Sequence, residues 1–245
     1  MKNIKNVLLY TAILTILVAA FLHFRTRESE DDKFVSYRVD LKKVNLKMYW
    51  KDENGQPFRS LQNLKTSLAS KGQTLAFAMN AGIFKSGNVP LGLFIERQRV
   101  VTPLDTASGT GNFYLKPNGV FYTAVDGNAG ISTSENFIHS GVINYATQSG
   151  PMLVIDGQIH PSFTSGSKNV NVRNGVGILP NKQVLFAMSK KEINFYDFAS
   201  YFKKMGCRNA LYLDGFVSRT YLPEQNWAQM DGDFAVIIGT TKKPQ

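Results

Sequence analysis

The sequence predicts an α+β protein: a single domain with a mixed, β-rich sheet core and a few packing helices, preceded by an N-terminal hydrophobic segment. Three observations carry that class. The body is a succession of short apolar runs separated by glycine and turn dipeptides. Two segments have helical periodicity with well-formed ends. No repeat of fixed period runs along the chain and no linker divides its body, which disfavours a propeller or solenoid.

The leader comes first. Lys2 and Lys5 precede an uncharged stretch from Val7 to Phe24; Arg25 and Arg27 close it, and Glu28, Glu30, Asp31 and Asp32 follow. This is the pattern of a signal peptide or a membrane anchor. Its length is near the lower limit of roughly 18 residues that spans a bilayer core. A cut after Val18-Ala19-Ala20 would leave apolar Phe21-Leu22 at the new terminus, so the segment reads better as an uncleaved anchor. Residues 1–32 are therefore assigned to the anchor or signal and 33–245 to the domain. Both readings export the body, and the anchor makes the membrane a partner through this segment.

Within the body, Phe34 to Val39 and Leu46 to Trp50 read as two strands joined by a polar turn. Ser60 to Lys71 reads as a helix: Ser60 caps it, Leu61, Leu64 and Leu68 form its stripe, and Gly72 stops it. It feeds a strand from Thr74 to Met79. Phe113 to Tyr122 reads as a hairpin about Asn118-Gly119, Leu153 to Ile159 as one about Asp156-Gly157, and Val176 to Met188 as one about Pro180-Asn181. The second helix spans about Phe195 to Met205. Asn194 is its cap, Asp197 lies in its first turn, Lys203 and Lys204 in its last, and Gly206 ends it. An apolar strand, Ala210 to Leu213, follows and ends in Asp214-Gly215; another strand-like run begins after Ser218-Arg219.

Composition narrows the function classes. The lone Cys207 excludes an internal disulfide and cysteine-rich zinc sites, and it reads as a small buried hydrophobe. Outside the leader only His139 and His160 remain, without metal-ligand spacing, so no metal and no cofactor are expected. His160 reads as exposed, and the Pro103 to Gly111 loop with Asp105 as a flexible surface loop. The net charge is +10, but the cations are scattered and no nucleic-acid motif is present. An anionic substrate suits that balance, and nucleic acid does not.

Four segments share one design, an apolar run followed by polar residues and glycine. They are Ala78–Phe84 with Asn80 and Gly82, Ser149–Gly157 with Gly150, Val172–Gly177 with Arg173, Asn174 and Gly175, and Ala210–Leu222 with Asp214, Gly215 and Ser218. A carboxylate at the end of a buried strand beside a glycine is a common place for chemistry in sheets. Asp-Gly is also a strong hairpin turn, and the residues alone leave Asp214 open between the two.

In their order and spacing these segments resemble the phosphodiester glycosidase family. Its pattern has Asn-Ala-Gly-x-Phe, Gly-Pro-x-Leu-Val with a following Asp-Gly, Arg-x-x-x-Gly, and Leu-Asp-Gly-Gly-x-Ser. The resemblance covers roughly residues 35 to 240. Phe216 departs from it, standing where the family usually has a second glycine, and would fill space a ligand might otherwise use.

The resemblance implies a substrate in which a sugar is joined to phosphate through its anomeric oxygen. Phosphate is a good leaving group, so the usual pair of glycosidase carboxylates is less obligatory. Arg173 would grip phosphate and Asp214 would act at the anomeric centre. Asn80, Gly82, Gly150, Asn174, Gly175, Gly215 and Ser218 would line the substrate. The implied activity is hydrolysis of a glycosyl-1-phosphate linkage in an envelope or extracellular glycan. The alternative is a non-catalytic module that binds anionic glycan or assists polysaccharide assembly.

Overall fold

The computed structural model describes residues 30–214 and 216–242. The anchor expectation and the role foreseen for Gly215 lie outside the described residues. After a 3-10 turn at Glu30–Lys33, β1 (Phe34–Val39) and β2 (Leu46–Tyr49) open the body. Helix α1 (Leu61–Ala69) begins where Ser60 Oγ accepts the Asn63 N–H at 3.2 Å, and it buries Leu61, Leu64 and Leu68. It leads into β3 (Leu75–Asn80). Two small hairpins follow, β4 (Phe84–Lys85) with β5 (Val89–Pro90), and β6 (Phe94–Glu96) with β7 (Arg99–Thr102).

The central run comprises β8 (Gly119–Ala124), β9 (Ala129–Thr133), β10 (Ile143–Ser149), β11 (Met152–Ile155) and β12 (Gln158–Ile159). Next come β13 (Val170–Asn171), β14 (Asn174–Ile178), β15 (Val184–Ser189) and β16 (Ile193–Asn194). Helix α2 (Phe195–Lys204) starts at Asn194, whose Oδ1 accepts the Asp197 N–H at 2.9 Å. The chain closes with β17 (Ala210–Tyr212), β18 (Thr220–Leu222), β19 (Trp227–Ala228) and β20 (Ile237–Thr241).

Three larger sheets result, in the orders β1-β15-β14-β17-β11-β12, β7-β6-β10-β8-β9 and β19-β18-β3-β20-β2. The α+β, β-rich class therefore holds, and the pairings with a defined register are antiparallel. One aromatic triad ties the sheets together. Phe186 of β15 meets Phe77 of β3 at 5.3 Å and Phe121 of β8 at 5.7 Å, one ring from each sheet. Each is fully buried, and burying such a ring contributes roughly 2–3 kcal/mol.

Three local expectations change. The β11–β12 and β14–β15 hairpins form as read, but Phe113 to Tyr122 is not a hairpin. Asn112–Tyr114 is a 3-10 turn whose Phe113 plugs the core, and β8 pairs with β9 and β10 instead. Pro117, which has no N–H to give a ladder, stands between the two halves. β1 and β2 belong to different sheets and so are not a pair. The same is true of β17 and β18, and this separation bears directly on Asp214.

Candidate active site

Strand β17 pairs with β14 and β11, whereas β18 pairs with β3 and β19. The segment between them is thus a crossover from one sheet to another and not a hairpin turn. Asp214 sits at its start. Local turn chemistry cannot hold such a crossover, so side chains from neighbouring strands do it.

Asn80, the last residue of β3, accepts the Arg219 N–H on Oδ1 at 2.8 Å and donates Nδ2 to the Asp214 carbonyl at 3.4 Å. Asn174, the first residue of β14, accepts the Asp214 N–H at 2.8 Å. Its Nδ2 donates to the Asn80 carbonyl at 2.8 Å and to Asn80 Oδ1 at 3.0 Å. Ser218 Oγ donates to the Asp214 carbonyl at 2.7 Å and lies 3.3 Å from the Val172 carbonyl. From the second segment, Ser149 Oγ donates to the Leu213 carbonyl. Four segments distant in sequence therefore meet at the backbone of Leu213 and Asp214, and Asn80, Asn174, Ser149 and Ser218 are all buried there.

In this lattice the amides of Asn80 and Asn174 hold backbone. Gly82, Gly150 and Gly175 are close-approach positions. A Cβ at Gly82 would collide with the Gln148 carbonyl, one at Gly150 would come within 2.7 Å of the Phe113 carbonyl, and one at Gly175 within 2.9 Å of the Leu211 carbonyl.

The Asp214 carboxylate is set apart. It is 7% exposed and accepts the Phe216 N–H at 3.1 Å. Burial lifts its pKa from the ordinary 3.8 to about 6, opposed only in part by that N–H. At neutral pH it is mostly ionised, a carboxylate with little water around it and thus a stronger base and nucleophile than an exposed aspartate.

Arg173 is placed differently from the expectation. Its backbone is next to Asn174, but its guanidinium turns toward α2. Nε donates to the Ile193 carbonyl at 2.8 Å, and Nη2 to Asn169 O and Oδ1 at 2.9 and 3.1 Å. Nη1 reaches Tyr212 Oη at 3.4 Å, and the group lies 3.6 Å over the Phe195 ring. Only one Nη1 hydrogen stays uncommitted, so no free bidentate edge faces a phosphate. Among the described residues no carboxylate pairs with this guanidinium, and burial pushes its pKa down. A cage of carbonyls and rings holds it instead.

His160 is buried, not exposed as expected. Its Nδ1 accepts the Ser162 N–H at 3.1 Å, which leaves Nε2 to donate to the Lys116 carbonyl at 3.1 Å. Burial lowers its pKa. It stacks on Phe163, which stacks on Phe195, so His160 extends the Arg173 cage.

The Asp105 loop is pinned by a residue the sequence reading passed over. Gln148 accepts the N–H groups of Leu93 and Asp105, each at 2.9 Å, and donates to the Asp105 carbonyl at 2.6 Å. A glutamine in the apolar strand that runs into Ser149-Gly150 was the available signal.

Beside the crossover is a groove of about 320 Å³ whose lining includes Asn171, Lys190, Phe216, Ser218, Arg219 and Trp227. Arg219 is held by a bidentate pair with Asp231, both contacts 2.7 Å. Phe216 does not fill ligand space: its ring is 93% exposed at the groove edge. Among the described residues no cluster of histidine, cysteine and carboxylates is suited to a metal.

A β-rich assembly of sheets with a buried carboxylate at the crossover between two of them defines the class. The model of the phosphodiester glycosidase family matches residues 73–236. The uncharacterized protein YigE of Escherichia coli (strain K12) is 41% identical over 188 residues, which is 76% of this chain and 73% of that one. The chain belongs to the phosphodiester glycosidase family. Among solved structures, the zebrafish N-acetylglucosamine-1-phosphodiester alpha-N-acetylglucosaminidase catalytic domain, auto-inhibited by its pro-peptide, superposes with a TM-score of 0.59 at 13% identity, covering 89% of this chain and 86% of that one. A hypothetical protein from Synechocystis gives 0.57 at 14% identity, over 86% of this chain and 59% of that one. At these identities the two structures speak for the fold.

Proposed function

We propose that the protein hydrolyses a sugar phosphodiester of the glycosyl-1-phosphate type in an envelope or extracellular glycan. The observation that carries this reading is the convergence of Asn80, Ser149, Asn174 and Ser218 on the backbone around Asp214, whose buried carboxylate titrates near 6. In the proposed reaction the bond between C1 and the phosphate oxygen breaks and the phosphate monoester leaves with the bonding pair. Asp214 meets the electron-poor anomeric carbon, as nucleophile or as base toward the attacking water. The leaving group is acidic enough to depart without a second carboxyl acid.

Asn80, Asn174 and Ser218 act as positioning residues. The phosphate and its aglycone lie in the groove, near Lys190 and Arg219. Arg173 supports the site through the strand that also carries Asn174. The N-terminal segment exports and anchors the body; no helix among the described residues is long and apolar enough to cross a membrane.

Hydrolysis of a synthetic sugar 1-phosphodiester in ¹⁸O-labelled water tests the reading. Label is expected in the anomeric hydroxyl of the released sugar. Label in phosphate would mean attack on phosphorus and would overturn the proposal. Tight glycan binding without turnover on any sugar phosphodiester would select the binding-module alternative, which the Phe216 departure from the family pattern favours.

Phe216 and Trp227 border the same groove, and exposed aromatic faces of this kind suit the apolar face of a sugar. Phe216→Ala is expected to leave thermal stability unchanged, because the ring is almost wholly in solvent. The same change should raise KM for glycan substrates about fivefold or more, corresponding to roughly 1 kcal/mol of stacking, with little effect on a substrate whose aglycone is methyl. Steady-state kinetics on the two substrates checks this.

A further inference from the structure

A second cavity in the body is not at the family motifs. It measures about 840 Å³ and lies between β2, α1 and the β6–β7 hairpin. In the sheet that contains both β3 and β18, β2 is the edge strand opposite β19. The cavity therefore opens at the far edge of that sheet from the Phe216–Trp227 groove, and the two share no lining residue.

Its walls combine cations with aromatic rings. Lys47, Tyr49 and Lys51 alternate along β2 and its extension, so their side chains leave the same face. Arg97 and Arg99 come from the hairpin, and Lys51 Nζ is held 4.1 Å over the Trp50 ring. Three acids line the cavity as well. Asp52 is engaged with the N–H groups of Asn54 and Gln56, and Glu53 pairs with Lys71 at 2.8 Å. Glu96 is half-buried, and burial raises its pKa. Among the described residues no ion pair engages Lys47, Arg97 or Arg99. Glu96 lies in the field of Arg97 and Arg99, so it offsets part of their charge, but cations outnumber acids in the lining and the cavity keeps a net positive charge.

Two further features point to a ligand. The Tyr49 hydroxyl is buried and has no hydrogen-bond partner among the described residues, a state that folded proteins rarely tolerate. The hairpin turns on Arg97 and Gln98, with φ of 51° and 66°, a conformation that favours Asn-Gly. A strained arginine at that position places a guanidinium beside Tyr49 and Tyr145, whose electrostatic surroundings it shapes.

We propose that this cavity is a second, non-catalytic binding site for an acidic polysaccharide. Arg97, Arg99 and Lys47 would meet carboxylate or phosphate substituents, Trp50 and Tyr49 would meet ring faces, and the Tyr49 hydroxyl would gain its missing partner. The site retains a polyanionic chain on the protein whether or not the protein cleaves it.

Isothermal titration of the full chain with polygalacturonate, and with neutral dextran as control, tests the site. Wild type is expected to bind the acidic polymer in a salt-sensitive way and to ignore dextran. Arg97→Gln with Arg99→Gln should weaken binding tenfold or more. Lys182→Gln with Lys242→Gln removes the same charge outside the cavity and should change affinity less than twofold. Tyr49→Phe should bind severalfold more weakly while melting at a higher temperature. Turnover of a small sugar 1-phosphodiester should be the same in all of these proteins, so a failure of the hydrolase reading leaves the binding result legible. Equal losses in the two charge-matched pairs, undiminished binding by Tyr49→Phe, or no binding of polygalacturonate by wild type would overturn the proposal.

Discussion

Asp214→Asn is expected to lose turnover by about 10²–10⁴-fold, the usual contribution of a positioned acid–base group, while melting at a higher temperature than wild type at pH 7. The two effects have one cause. The folded protein holds the Asp214 carboxyl at a pKa of about 6, against an ordinary 3.8, because burial disfavours its charge. Between those two values the folded state binds the proton more tightly than the unfolded state does. Stability attributable to this group is therefore fully present below about pH 3.8 and is lost as pH rises through about 6. The full loss is of order 3 kcal/mol, from a shift of about two units at 1.36 kcal/mol each. Asparagine carries no charge and can still accept the Phe216 N–H, so it escapes that loss. Melting curves at pH 4 and pH 7 check the argument: the variant should gain at pH 7 and match wild type near pH 4. Wild-type kcat should fall below about pH 6 with an acid limb that the variant lacks. A variant that is less stable at pH 7, or fully active, would remove Asp214 from the site.

The same residue shows what the sequence could and could not carry. The apolar run ending in Asp214-Gly215 was legible as a buried strand, and the helix caps Ser60 and Asn194 were legible because capping is local. Hairpins closed by Asp156-Gly157 and Pro180-Asn181 were legible for the same reason. Partner choice between distant strands was not. Two strand-like runs separated by a few residues look like a hairpin, and nothing in the Asp214–Arg219 segment says that β17 and β18 leave for different sheets. That depends on β14 and β3, which compete for them through registers set far away in the chain. The residues that meet at the crossover were legible as residue types, since Asn80, Asn174, Asp214 and Ser218 all stood in the four glycine-bearing segments. Their division of labour was not. Whether an asparagine holds a ligand or a carbonyl is decided by which backbone groups the crossover leaves unpaired. His160 misled for a related reason: a histidine after a short strand reads as exposed unless Phe163 is known to stack on it, with Phe195 stacked in turn on Phe163.

Arg173 is where that division of labour can be measured. Arg173→Lys is expected to lose about 3 kcal/mol of stability, yet to keep KM for a sugar phosphodiester within about twofold. The stability term follows from geometry. A planar guanidinium satisfies the Ile193 and Asn169 carbonyls, Asn169 Oδ1 and Tyr212 Oη together while lying flat on Phe195. An ammonium is a compact point donor and cannot reach that fork of acceptors, so buried carbonyls are left unpaired at about 1–3 kcal/mol each. Part of the loss is offset, because a lysine buried there without a counter-charge among the described residues can shed its proton, which arginine cannot, and for that reason the figure stays near 3 and not at the sum. In a chain of this size that corresponds to a fall in melting temperature of roughly 6–12 °C. The kinetic term separates the two roles. If Arg173 gripped the substrate phosphate, the substitution would raise KM by tenfold or more. If it holds the strand that carries Asn174, kcat should fall in proportion to how far Asp214 is displaced, and the acid limb of the pH–rate profile should move down as water reaches the carboxylate. Stability, KM and the acid limb measured on this one variant distinguish a residue that touches substrate from one that fixes the backbone beneath the carboxylate.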